Sequence, residues 1–349
     1  MKKALQQIIK TVQYNCHIAD ARHAGDYTLC VYLLKMREMF RWEHGIDFKT
    51  TLTTDAVGDW LTAREGVWDD LEEQEYQSLQ IDSESYEPFD NDLINTFLDK
   101  EKLVYNAGLG LRCRPHFFIA ELDETIEHDE YTVFISGKEY ARDMAAPPAM
   151  AQGTHIFIRR ESLRRVIWEI LDDAFVAGLD NPLTRAMSFY DFDLNPEVAL
   201  NQMAEAEIEY VIQHEIGEVK AGQTLGESWN RMTAELASIK VRTQAEIMLR
   251  AVRDHFADSI STLPLLLKNR NKASIHFYFG NMTAMRKYLA PSLVSAYEYW
   301  HETKDFSQLD KYLANAQLHW NRLAVDINKH YKDSNDASLI EDLIKDRTL

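Results

Sequence analysis

His116-Phe117-Phe118-Ile119-Ala120, Tyr131-Thr132-Val133-Phe134-Ile135 and His155-Ile156-Phe157-Ile158 are short runs of aromatic and β-branched residues, separated by polar breaks. Such residues fit a pleated, half-buried surface, so the runs read as strands. Ala145-Ala146-Pro147-Pro148-Ala149 lies among them as a loop, because proline disfavours both helix and central strand. On either side the pattern changes to helical periodicity. The expected fold class is α+β, predominantly α-helical: a helical bundle with a small antiparallel β segment around residues 110–160. The regions are 1–100 (helical), 101–160 (β-containing) and 161–349 (helical, able to pack with 1–100 as one domain).

Leu5, Ile8, Ile9, Val12, Cys16 and Ala19 fall within a stripe about 80° wide at about 100° per residue, which predicts a helix over 3–24. Gly25-Asp26 should end that helix and cap the next. Residues 27–44 are apolar almost all round, which implies a helix buried on most sides and closed by Gly45. Residues 48–100 read as further helices with acidic loops, including a loop from Ser83 to Asp92. Asn195-Pro196-Glu197 is a helix start, with asparagine as cap and proline in the first turn. Pro264 and Pro291 mark later boundaries, and Ser334-Asn335-Asp336 precedes a last short helix. Tyr297, Trp300 and Trp320 lie at helical spacings and read as core.

The chain has 349 residues, a net charge of −18 and 46% hydrophobic residues, enough for a core rather than a disordered chain. So acidic a chain is not expected to bind nucleic acid, whose phosphates demand a basic face, or an anionic membrane surface. No stretch approaches the roughly 18 apolar residues of a membrane span. Met1–Asn15 reads as an amphipathic helix rather than a signal peptide. The cysteines, Cys16, Cys30 and Cys113, are sparse and form no C-x-x-C pair, which fits reduced thiols in a cytoplasmic compartment. Cys16 and Cys30 fall on apolar stripes and read as buried, inert thiols.

The stretch with chemical content is Tyr210-Val211-Ile212-Gln213-His214-Glu215-Ile216-Gly217-Glu218. On a helix, Ile208, Val211, Ile212, Ile216 and Val219 form the apolar face, and Glu215 lands near its middle. A carboxylate there is costly unless paired, hydrogen-bonded or metal-bound. His214 and Glu218 share one flank, one turn apart, with Glu207 two turns above. A second helix, roughly 242–260, places Asp254, His255 and Asp258 along the stripe of Met248, Val252 and Phe256. Bundles build metal sites in this way, from carboxylates and imidazoles on facing helices. A third block, Cys16-His17-Ile18-Ala19-Asp20-Ala21-Arg22-His23, puts His23 on the core stripe with Asp20 one turn before it. The bland reading is a buried salt-bridge network, with Arg37 or Arg250 neutralising Glu215 and Arg250 pairing Asp254.

Gln213-His214-Glu215-Ile216 resembles the Q-H-E-x-D-H helix of peptide deformylases and the His-Glu-x-x-His helix of zincin peptidases, with Glu218 where those families have a second imidazole. That resemblance implies His214 as a metal ligand and Glu215 as general base. The blocks Cys16–Ala24 and Gln213–Glu218 together are also similar to those of an uncharacterised bacterial protein family, which implies coverage of most of the chain but no mechanism.

The reading that follows is a metal-dependent enzyme with a mixed histidine and carboxylate site. His214, Glu218, His23, Asp20, Asp254, His255 and Asp258 are candidate ligands for a divalent iron, manganese or zinc ion, and Glu215 is the candidate catalytic base. Metal-activated water acting on a small-molecule or peptide substrate is favoured over an iron or manganese oxidase. The alternative from another class is a non-catalytic scaffold with a buried salt-bridge network. A homo-oligomer is compatible with the sequence.

Overall fold

The computed structural model describes residues 3–110, 114–177, 180–238, 244–334 and 337–349, so Cys113 and the Asn335-Asp336 turn lie outside the described residues. The chain forms two compact units: Met1–Trp168 with Asn195–Asn201, and Glu169–Leu194 with Gln202–Leu349. Regions 1–100 and 101–160 both fall in the first unit. The fold is α+β and mainly helical. Among the described residues, no helix is long and apolar enough to cross a membrane.

The first unit opens with α1 (Lys3–His23), α2 (Leu29–His44) and α3 (Thr54–Asp69). A short hairpin of β1 (Leu79–Ile81) and β2 (Glu84–Tyr86) and the helix α4 (Asn91–Leu98) follow. Then come β3 (Leu103–Leu109), β4 (Pro115–His128), β5 (Tyr131–Arg142), β6 (Ala149–Gln152), β7 (His155–Arg159) and the helix α5 (Arg160–Ala177), whose residues from Glu169 on belong to the second unit. The sheet order is β3-β4-β5-β7-β6. All pairings are antiparallel except β5 with β7, so the sheet is mixed rather than purely antiparallel. Register shifts between Ile119 and Glu124 break the β4–β5 ladder, and such bulges bend a strand.

The α1 stripe of Ile8, Val12, Cys16 and Ala19 packs on Tyr105, Ala107, Phe117, Ile119 and Ala141 of the sheet. Helix α4 covers the outer edge of β3 with asparagines one turn apart. Asn91 exchanges hydrogen bonds with the backbone of Ala107 (2.8 and 2.7 Å), and Asn95 with that of Tyr105 (2.8 and 2.8 Å). Helical spacing of four thus matches strand spacing of two, and the amides stand in for a neighbouring strand.

Four expectations for this unit need correction. The first half of α2 is exposed, with Leu29 at 70% and Leu33 at 44%, whereas Met36, Met39 and Phe40 are buried. A helix that is apolar all round does not say which of its turns meets a neighbour; here the second half does, Met36 packing with Trp68 and Met144. Cys30 is therefore exposed, while Cys16 is buried as expected. Asp26 does not cap α2: the chain makes a 3-10 turn over Ala24–Asp26, and Thr28 occupies the cap position. Part of the 83–92 stretch, read as loop, is strand, because three-residue strands carry no periodic signal.

The second unit is helical. It contains α6 (Pro182–Met187), most of the run α7 (Pro196–Ser238), α8 (Gln244–Ile260), α9 (Thr262–Asn269), α10 (Lys272–Asn281), α11 (Ala284–Leu289), α12 (Pro291–Thr303), α13 (Ser307–Ser334) and α14 (Ala337–Lys345). Gly226, at φ +72°, breaks α7. Pro264 lies in the first turn of α9 and Pro291 opens α12, as expected of boundary prolines. The core joins Trp229, Met248, Val252, Phe256, Tyr297, Trp300 and Trp320.

Candidate metal centre on helices α7 and α8

One glycine brings the polar residues of α7 and α8 together. A Cβ at Gly217 would lie 2.4 Å from the backbone oxygen of Ala257, so only glycine lets the helices approach this closely. The contacts run in opposite chain directions, His214 meeting Asp258 and Glu218 meeting Arg253, which makes the helices antiparallel here. One turn on α7 (214 to 218) is thereby matched to one turn on α8 (258 to 254).

The His214 Nδ1–H donates to Asp258 Oδ1 at 2.8 Å. Its Nε2 points toward Glu218 Oε1, at 3.7 Å. Among the described residues, donor atoms of His214, Glu218 and Asp254 lie within 4.8 Å of one another, a group able to hold a metal ion. A carboxylate on Nδ1 fixes the tautomer and aims Nε2, the arrangement found behind metal-bound imidazoles. Asp258 is itself held by the Tyr278 hydroxyl (2.8 Å) and by the Arg286 guanidinium. The second oxygen of Glu218 accepts from Arg253 at 3.0 Å.

Electrostatics follow from this geometry. Burial acts to lower the His214 pKa, but the charge and hydrogen bond of Asp258, with Glu218 and Glu215, outweigh it and push it up to about 10. Burial opposes ionisation of Asp258 too, yet Arg286 and His214 hold its carboxyl well below the usual range. Glu215 is buried, and desolvation followed by repulsion from Glu218 pushes its pKa up to about 8. Burial also raises Asp254. One helix pair thus carries, in one patch, an aspartate held toward its ionised form and a histidine and a glutamic acid that hold their protons more tightly than usual.

The predicted site residues separate into groups. His214, Glu218 and Asp254 converge. Asp258 holds the imidazole, its oxygens taken by His214, Tyr278 and Arg286. His255 turns into the core: its Nε2–H donates to the Arg286 carbonyl (2.9 Å), its ring stacks on Trp320, and burial lowers its pKa to about 3. Glu207 lies apart, buried near Ser274, with its pKa raised to about 7 by desolvation. The expected arginine partners of Glu215 pair elsewhere, Arg250 with Glu246 and Arg37 with Glu38. Arg250 also leaves Asp254, because Glu246 offers the same one-turn spacing on its other side.

Asp20 and His23 belong to the first unit. Asp20 accepts from the Met144 N–H at 2.9 and 3.1 Å, and His23 pairs with Asp26 at 3.4 Å. They line a cleft with Tyr27, Arg114, His116 and Asp143. Among the described residues, the donor atoms of this cleft do not form a metal-holding group.

The N-terminal domain of DUF6866, a family of unknown function, matches residues 7–159, and its C-terminal domain matches residues 164–347. The chain belongs to this family. No curated protein and no solved structure matches the chain, and no similarity to deformylases or zincins accompanies the DUF6866 match. The Cys16–Ala24 block lies in the N-terminal domain of the DUF6866 chain and the Gln213–Glu218 block in its C-terminal domain.

Sequence reasoning missed Arg253, Tyr278 and Arg286 in the second unit, and Arg114, His116 and Asp143 in the first. His116 and Asp143 sit at strand ends, where no helical spacing links them. Asp143 follows the last residue of β5 and precedes the Pro147-Pro148 loop, so a polar residue at a strand-to-loop junction was the available signal.

Proposed function

We propose that the protein is a metal-dependent enzyme whose ion is held by His214, Glu218 and Asp254. The observation that carries this reading is the convergence of three donor groups within 4.8 Å, with the Nδ1 of His214 already committed to Asp258. Two carboxylates and one imidazole suit iron, manganese or zinc. A divalent ion there supplies Lewis acidity and lowers the pKa of water beside it, which favours hydrolysis of an ester, amide or phosphoester. Glu215 takes and returns the proton. Its pKa of about 8 lies near neutral pH, where a general acid–base group works best. Asp258 and Arg286 hold the imidazole ligand in place and touch no substrate.

The Arg253–Glu218 ion pair favours a second reading, in which the cluster is a structural network. Elemental analysis of purified protein, beside His214→Ala and Glu218→Ala, separates the two. Near-stoichiometric iron, manganese or zinc that disappears in both variants supports the enzyme. A wild type that takes up no metal, even after reconstitution, leaves the structural network.

A further inference from the structure

We propose that the outward face of the first half of α2 is a self-association surface, on which two copies of this chain pair antiparallel through Leu29, Cys30, Leu33 and Leu34. Large apolar side chains crowd this stretch: Leu29 is 70% exposed, Val31 40%, Leu33 44% and Leu34 40%, with Cys30 exposed among them. The other side of the same turns faces its own unit. Tyr32 donates to Glu65 of α3 at 2.8 Å, and Met36 packs with Trp68 and Met144. Leu29, Cys30, Leu33 and Leu34, at positions i, i+1, i+4 and i+5, therefore form one outward face, with Val31 on its flank.

Area and charge name the occupant. An interface of ordinary size takes about 800 Å² from each partner, and a little over half of it is apolar. The outward face of α2 supplies roughly 400 Å² of apolar surface, nearly all of that share, and such a patch on a monomer marks an interaction site. The chain carries a net charge of −18, so two copies repel each other at long range and can settle only where charge is absent. Tyr27–Leu34 holds no charged residue. Copies that meet there bury apolar surface without setting carboxylates face to face or stripping them of water. A basic partner would be steered to the acidic surface instead of to this uncharged face.

The fold sets the orientation. Met36, Met39 and Phe40, in the second half of α2, are buried within their own unit. A parallel pairing would lay two enclosed halves side by side and drive the surrounding elements into each other. An antiparallel pairing puts them at opposite ends, where the helix dipoles also attract. About a two-fold axis between Val31 and Tyr32, Leu29 meets Leu34 of the second copy and Cys30 meets its Leu33, so the face is complementary to itself.

The test is sedimentation velocity of the full chain over a wide range of concentration. The expected result is a monomer–dimer equilibrium. Leu29→Glu and Leu33→Glu each place a carboxylate from both copies in the apolar contact and should weaken the dimer about a hundredfold or more. Both positions are exposed in the single chain, so circular dichroism of the variants should match the wild type. Leu318→Glu, at a leucine 54% exposed in the other unit, should leave the dimer intact. Alkylation of Cys30 by iodoacetamide, read by peptide mass, should slow as the wild type is concentrated and should not slow in Leu33→Glu. A wild type that stays monomeric at every concentration, a dimer that survives both glutamate variants, or Cys30 alkylation that ignores concentration would each overturn the proposal. A monomer that instead floats with phosphatidylcholine vesicles would assign the face to lipid and overturn it as well.

Discussion

The two units each hold an aspartate–histidine pair, and the pairs stand in different surroundings. In the second unit, His214 leans on Asp258 at 2.8 Å and turns its Nε2 toward Glu218 and Asp254. In the first unit, His116 leans on Asp143 at 3.2 Å in a cleft lined by Arg114, Tyr27 and Asp20, whose carboxyl is held above the usual range by burial and by Asp143. One pair stands beside further carboxylates; the other stands beside a phenol and a guanidinium that is already paired with Asp26. A residue pair alone does not define a site. The sign of the groups behind it does.

The strongest way to break the comparison is to remove the aspartate of the helical pair. Asp258→Ala leaves Arg286 and His214 charged and half-buried without their partner. It should destabilise the second unit by about 3–5 kcal/mol, measured by denaturant unfolding. Asp258→Asn, which keeps the hydrogen-bonding shape, should cost less. If both cost under 1 kcal/mol, the ion-pair account of this cluster fails.

A smaller effect tests the helix crossing that creates the first half of the comparison. Gly217→Ala should cost about 1–3 kcal/mol through overpacking against Ala257 and lower metal occupancy. Gly222→Ala, where a Cβ meets nothing within 4 Å, should be neutral or stabilising by about 0.4–1 kcal/mol. Equal effects at the two positions would show that close approach is not what Gly217 provides.

The pH dependence sharpens the contrast further. His214 and Glu215 both bind their protons more tightly in the folded chain, with pKa values of about 10 and about 8 against ordinary values of 6.5 and 4.5. Their contribution is therefore complete at low pH and is lost as pH rises, first through the glutamic acid and then through the imidazolium. Metal-free protein should melt at a lower temperature at pH 9.5 than at pH 6. Glu215→Gln should flatten that slope between pH 6 and pH 8, below the pKa of about 8, and an unchanged slope would remove Glu215 from the account.

The smallest expected effect belongs to Asp20. A carboxyl that is already neutral loses little on becoming an amide, so Asp20→Asn should change stability by under about 1 kcal/mol. Asp143→Asn, which gives up an ionised group enclosed by three donors, should cost more. The reverse order would mean that the proton sits on Asp143.

Much of this molecule was determined by sequence alone, because local patterns are enough for it. Periods of 3.6 and 2 separate the helices from the strands, and Gly45, Pro196 and Pro291 punctuate them. The stripe of Ile8, Val12, Cys16 and Ala19 marks a core face, and Tyr297, Trp300 and Trp320 mark another. The spacing of His214 and Glu218 and of Asp254 and Asp258 put each pair on one face of a helix. Only the tertiary structure decided which of these residues act together. It set the antiparallel crossing at Gly217, turned His255 inward, and placed His23 and Asp20 in a different unit beside Arg114, His116 and Asp143. It also left the first half of α2 exposed despite its apolar composition. The reason is physical: periodicity records which way a side chain points from its own element, whereas pairing, desolvation and charge sign depend on the neighbour that packs against it, and that neighbour is distant in sequence.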